Sequence, residues 1–149
     1  MDGLLSSRST DRLATNRLGA IAVAKVKLRA IEKEWWTFSP DVECRVDLVL
    51  DDGLKLYRAQ IKYAGGASPK QCRGVVVVGL RKWRNDGRKC IPYYTAAEID
   101  VLLVYVRKLD RILWFGPEVF DGRRFLHIRL EPARNNQVKG CLMAADYLW

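Results

Sequence analysis

Histidine is nearly missing from this chain: of 149 residues only His127 carries an imidazole. It sits in the alternating run Arg124-Phe125-Leu126-His127-Ile128-Arg129-Leu130, which reads as a strand, so a histidine-based triad is excluded and His127 reads as a surface strand residue. Cys44, Cys72, Cys90 and Cys141 lie 28, 18 and 51 positions apart with no CxxC pair, and one histidine cannot complete a Cys/His set, so no structural zinc is expected. Long apolar runs are missing too. Val75–Val78 and Val101–Val106 are strand-length, far short of the roughly 18 residues a membrane span needs. The first residues, Met-Asp-Gly-Leu-Leu-Ser-Ser-Arg, hold no apolar targeting core, and a cytoplasmic protein is the expectation. There are no repeats and no Pro/Ser-rich linkers, so residues 1–149 read as one domain.

Acidic residues are outnumbered, 17 against 26 Lys plus Arg, for a net charge of +9. The excess is concentrated. Lys70, Arg73, Arg81, Lys82, Arg84, Arg88 and Lys89 face only Asp86 between residues 66 and 90, which is +6 of the +9. Val75–Leu80, then Trp83 and an Asn85-Asp86-Gly87 turn signal, suggest a basic β-ribbon inserted at about 64–94. Such a ribbon fits the major groove of double-stranded DNA, with Trp83 packed on sugars or a base step, or else in the core. The plainer alternative is a solvated loop.

Ile21, Ala24, Leu28, Ile31 and Trp35, spaced 3, 4, 3, 4, predict a helix over about 16–35 with that stripe buried. Two alternating runs, 44–50 and 54–62, flank Asp51-Asp52-Gly53 and predict a β-hairpin. A two-residue Asp52-Gly53 loop would set Asp47 opposite Arg58 and diagonal to Gln60, with Arg58, Gln60 and Lys62 on one polar face. A short helix near 95–100, strands at 101–106, 111–115 and 124–130, and a segment 138–147 of open type complete a mixed α/β chain.

One carboxylate and one amide oxygen are hard ligands suited to Mg²⁺ or another divalent cation, and Lys62 is placed to position a water or offset phosphate charge. The same hairpin read plainly is an Asp47–Arg58 ion pair on a solvated face.

Asp47 followed 13 positions on by Gln60-Ile61-Lys62 resembles the D…(E/Q)xK core of the PD-(D/E)XK nuclease superfamily. Residues 46–53 and 56–62, with Arg129-Leu130-Glu131-Pro132, Asn136-Gln137 and Ala145-Asp146-Tyr147, are similar to its group I intron homing endonucleases. The resemblance runs from about Asn16 to Tyr147 apart from the basic segment. It implies a restriction-endonuclease-like α-β-β-β-α-β core with a mixed central sheet, Asp47 and Gln60 as metal ligands, Lys62 as the third catalytic residue, and a homo-oligomer, dimer or tetramer, acting on a long, partly palindromic DNA target. One departure stands out: such nucleases carry an acidic residue on the first helix, and 19–24 has none. At 100° per residue Ala20 lies about 60° from the predicted buried stripe and Ala22 about 140° away, so Ala20 is the expected vacant position, with Ala22 the alternative. A sequence-specific endonuclease, weakened or inactivated by that loss, is the leading reading. A DNA-binding module without catalysis, a nuclease acting on branched DNA and a basic RNA-associated protein are the competing ones.

Overall fold

The computed structural model describes residues 7–65, 74–80, 82–83, 90–91, 93–132, 135 and 140–149. Helix α1 (Ser7–Glu32) leads into a short edge strand β1 (Trp36–Phe38), then the hairpin β2 (Leu48–Asp51) and β3 (Leu56–Ala64). Strand β4 (Val75–Gly79) and a two-rung ribbon of β5 (Lys82–Trp83) and β6 (Cys90–Ile91) precede β7 (Val101–Val106), β8 (Arg111–Phe115), the one-turn helix α2 (Pro117–Phe120), β9 (Phe125–Arg129) and β10 (Leu142–Met143).

Five strands form the main sheet in the order β1-β2-β3-β7-β8; only the central β3–β7 pair is parallel, so the sheet is mixed. All six residues of β7 are buried, as expected of a strand covered on both faces. A smaller sheet, β10-β9-β4, packs on one face through Val76, Val78, Leu126 and Ile128 against Leu102, Val104, Val106 and Phe115. Helix α1 covers the other face, over Leu48, Leu50, Ala59, Ile61, Val101 and Leu103. Parallel pairing of β3 with β7 demands a crossover, and 95–99 forms a single turn there, with Glu98 and Ile99 amides bonded to the Thr95 carbonyl, rather than the predicted helix. The ribbon rung Lys82↔Ile91, Trp83↔Cys90 lies where a basic β-ribbon was expected. His127 is an exposed β9 residue opposite Val77.

Two further expectations are corrected. The helix buries Ala22, Val26 and Ala30 completely, while Ile21, Leu28 and Ile31 are 44%, 54% and 69% exposed. Positions 22, 26 and 30 follow the i, i+4, i+8 ridge, and their small side chains let the helix axis lie close on the sheet, where Ile or Leu would hold it away. Ala20 is accordingly exposed, and the position that faces the sheet is Ala22. The second correction concerns register. Asp51 pairs with Leu56, so the turn spans 52–55, not two residues. Asp52 Oδ1 accepts bonds from Leu54 N and Lys55 N at 2.8 and 2.7 Å, and Gly53 takes a positive φ of 89°. Two extra residues keep the side-chain parity but slide the pairing one step along each strand. Arg58 therefore lies opposite Val49 rather than Asp47.

Candidate active site

Side chains alternate along β3. Ala59 and Ile61 belong to the apolar layer under α1, while Arg58, Gln60 and Lys62 point to the opposite face. Asp47 stands just before β2, its amide donating to the Ala59 carbonyl at 2.8 Å. That bond brings its carboxylate beside Gln60. Asp47 Oδ2 accepts from Gln60 Nε2 at 2.5 Å and from the Ile61 backbone N–H at 2.8 Å. Gln60 is only 7% exposed and is the buried polar residue of the described core. An amide buried this far needs partners, and a carboxylate supplies a strong one.

The Asp47–Arg58 ion pair does not form. Arg58 Nε and its backbone N–H both bond to Asp100 Oδ2, at 3.0 and 2.8 Å, and Nη2 reaches Asp100 Oδ1 at 3.0 Å. The Arg58 guanidinium holds the Asp100 carboxyl below the usual carboxylate range against a smaller opposing effect of burial. Asp47 is thereby left to Gln60 and its surroundings on the site face.

Lys62 lies two residues beyond Gln60 with its Nζ 5.2 Å from the centroid of the Tyr94 ring. Arg45, two residues before Asp47, has its guanidinium carbon 4.6 Å from the same ring and its Nε 3.2 Å from Glu98 Oε1. Glu98 Oε2 in turn accepts from Thr95 N and Oγ1 at 3.1 and 3.2 Å, so the crossover turn fixes that carboxylate. Tyr94 is fully buried, and burial, reinforced by the charges of Asp47 and Glu98 and opposed by Arg45, pushes its hydroxyl up to about 12. Arg45, Tyr94 and Glu98 are neighbours that sequence reasoning missed. Arg45 carried a signal, sharing strand parity with Asp47; Tyr94 and Glu98 arrive on the crossover, which no local pattern reveals.

The structure thus brings Asp47, Gln60 and Lys62 to one face of the hairpin. Ala20 is exposed on α1. Lys70, Arg73, Arg81, Arg84, Arg88 and Lys89 lie outside the described residues, and of Lys82 and Trp83 only the backbone, in β5, is described. A depression of about 330 Å³ lined by Asp41, Glu43 and Asp47, among others, opens beside the first of the site residues. Among the described residues no three His, Cys, Asp or Glu side chains group as metal ligands. The donor set still fits a hard cation of the kind that takes one carboxylate and completes its shell with water and phosphate. Gln60 now turns its amino group to Asp47; rotation of the amide about its last torsion would present the carbonyl oxygen instead.

A mixed sheet bearing an aspartate before one strand and Gln-x-Lys on the next is the arrangement of a nuclease. The chain belongs to the PD-(D/E)XK endonuclease family, whose model matches residues 13–149. Nucleases of this family generally use divalent metal ions. Among solved structures it is similar to a bacterial homing endonuclease, I-Ssp6803I, with 25% identity, a TM-score of 0.72, and coverage of 90% of this chain and 88% of that one. No curated protein matches the chain. Among the described residues no helix is long and apolar enough to cross a membrane.

Proposed function

We propose that this endonuclease is a sequence-specific homing endonuclease of the group I intron type that hydrolyses phosphodiester bonds of double-stranded DNA with Mg²⁺. The observation that carries the reading is the Asp47 carboxylate held between the Gln60 amide and the Ile61 N–H, with Lys62 next on the same face. Asp47 and Gln60 would hold the divalent ion, which when bound supplies charge stabilisation at the phosphate and an activated water. Lys62 orients that water or offsets charge on a non-bridging oxygen, and the Ile61 N–H keeps the Asp47 carboxylate aimed. Lys70, Arg73, Arg81, Lys82, Trp83, Arg84, Arg88 and Lys89 read and grip the target, mostly through phosphates, so affinity should fall steeply with salt.

A homo-oligomer on a partly palindromic target is supported by the apolar row Ile21, Leu28 and Ile31, which α1 turns to solvent. The absence of an acidic residue from 19–24 supports weakened or absent catalysis; of these positions Ala22 meets the sheet, in the apolar layer on the face opposite Asp47. The same observation favours the second reading, a DNA-binding module that does not cut.

Selection of bound sequences from a random duplex pool, followed by incubation of the winner with Mg²⁺, tests both. The expected result is a defined site cut in both strands, with cutting lost and binding kept in Asp47→Ala. Binding without cutting in the unaltered chain selects the second reading. A preference for four-way junctions over the selected duplex overturns sequence specificity.

A further inference from the structure

Tyr94 is buried as completely as any core residue, yet two cations meet on its ring. The Lys62 ammonium stands 5.2 Å and the Arg45 guanidinium 4.6 Å from the ring centroid. Lysine has four rotatable stem bonds and holds a geometry poorly on its own; an aromatic face within about 6 Å restrains its head by the attraction of the ring quadrupole for positive charge. The Tyr94 hydroxyl has no hydrogen-bond partner among the described residues. A tether from that oxygen therefore does not explain the arrangement, and it is the ring that both cations stand over.

We propose that Tyr94 is a positioning residue of the endonuclease site, its ring fixing the Lys62 ammonium beside Asp47 and Gln60 so that the lysine meets the scissile phosphate or its attacking water without first being ordered. The inference rests on the reading of Lys62 given above. Arg45, held by Glu98 at 3.2 Å, shares the ring and keeps it from being a site for Lys62 alone. Pre-ordering of this kind acts on the rate at saturating DNA rather than on DNA affinity, because the phosphate grip lies elsewhere.

Two substitutions separate the ring from the hydroxyl. Tyr94→Phe keeps the ring and removes only an unpartnered polar group, so it should cleave like the unaltered protein and melt no lower. Tyr94→Leu removes the ring, and kcat should fall roughly tenfold with KM for DNA within about twofold. A readout independent of cleavage is the acylation rate of Lys62 under limiting acetic anhydride, read by peptide mass spectrometry against Lys108, which pairs with Glu131 far along the fold. Loss of the ring should raise the Lys62 to Lys108 ratio by roughly fivefold, and Tyr94→Phe should leave it unchanged. General loosening of the core would raise both rates together and overturn the proposal, as would an unchanged ratio in Tyr94→Leu or a drop in kcat shared by Tyr94→Phe.

Should Tyr94→Leu not fold, the unaltered protein and Tyr94→Phe still decide: both must show Lys62 ε-methylene protons shifted upfield of those of Lys108 by the ring current, and the absence of that shift ends the proposal. If the unaltered chain does not cut DNA, the acylation ratio and the ring-current shift alone judge it. Undiminished cleavage by Lys62→Met, by contrast, removes the reading of Lys62 and leaves the ring contact without a catalytic purpose.

Discussion

The two faces of strand β3 are made from alternate residues of one nine-residue segment and behave oppositely. Ala59 and Ile61 vanish beneath α1 into a layer that is apolar throughout, with Ala22, Val26, Leu48 and Leu50. Gln60 and Lys62, one residue out of phase, turn to Asp47 and Tyr94. Burial on the α1 face adds to stability, since each aliphatic side chain removed from water contributes on the order of 1.5–3 kcal/mol. The polar face spends buried surface on groups that need partners, and its sidedness survives only while register parity holds. The hairpin teaches that a two-residue lengthening of a turn can preserve a site, whereas a one-residue change would have put Gln60 under the helix.

The sharpest way to break the distinction is to place a carboxylate on the wrong face. Ala22→Glu inserts a charge into the layer beneath α1 and should cost about 3–5 kcal/mol in the absence of metal, read by urea unfolding. Ala20→Glu, on the exposed side of the same helix, should stay within about 0.5 kcal/mol. If millimolar Mg²⁺ restores much of the loss in Ala22→Glu, position 22 reaches the site and the vacant-acid reading gains its support. Full loss with and without Mg²⁺ would mean that the two faces do not communicate there. Next in size, Leu50→Ala should cost about 3 kcal/mol by opening a cavity in the same layer, without touching the polar side.

How much of this was legible in the sequence depends on whether the information was local. Alternation along 56–62 fixed which residues share a face, and that survived an error in turn length because the error was even. The helix was placed but its buried side was not. Bulky aliphatics at 21, 28 and 31 outweigh alanines in any hydropathy pattern, yet close approach of helix to sheet selected Ala22, Val26 and Ala30. Asp100 as the partner of Arg58, and Tyr94 and Glu98 beside the site, come from the crossover into β7, 30 or more residues past the end of the hairpin, where no periodicity connects them.

A smaller effect sharpens the comparison through pH. The Arg58–Asp100 pair occupies the polar face but is a structural contact, not part of the site. Asp100 is held below its ordinary range, so its contribution is present above the unfolded carboxylate value of roughly 4 and is lost as pH falls through the depressed folded value. Asp100→Asn should therefore cost about 1–2 kcal/mol at neutral pH, and the difference in Tm between it and the unaltered chain should shrink steadily below pH of about 4. A gap that stays constant into acid would show that the hydrogen-bond geometry, rather than the charge, carries the contact.

The smallest expected effect on stability is also the one that most cleanly divides the two faces. Lys62 is half-buried, with its stem along the sheet and its head on the Tyr94 ring, and methionine matches that stem in length and apolar character. Lys62→Met gives up a cation–π contact of about 0.5–1 kcal/mol and regains part of it by burying a thioether against the same ring. Its unfolding free energy should stay within about 0.5 kcal/mol of the unaltered chain. Metal-dependent cleavage, if the unaltered chain shows it, should fall by roughly 100-fold or more, because the charge beside the phosphate is gone while the fold is not. Large destabilisation with intact cleavage would invert the assignment, making Lys62 part of the scaffold and leaving Asp47 and Gln60 without their third partner.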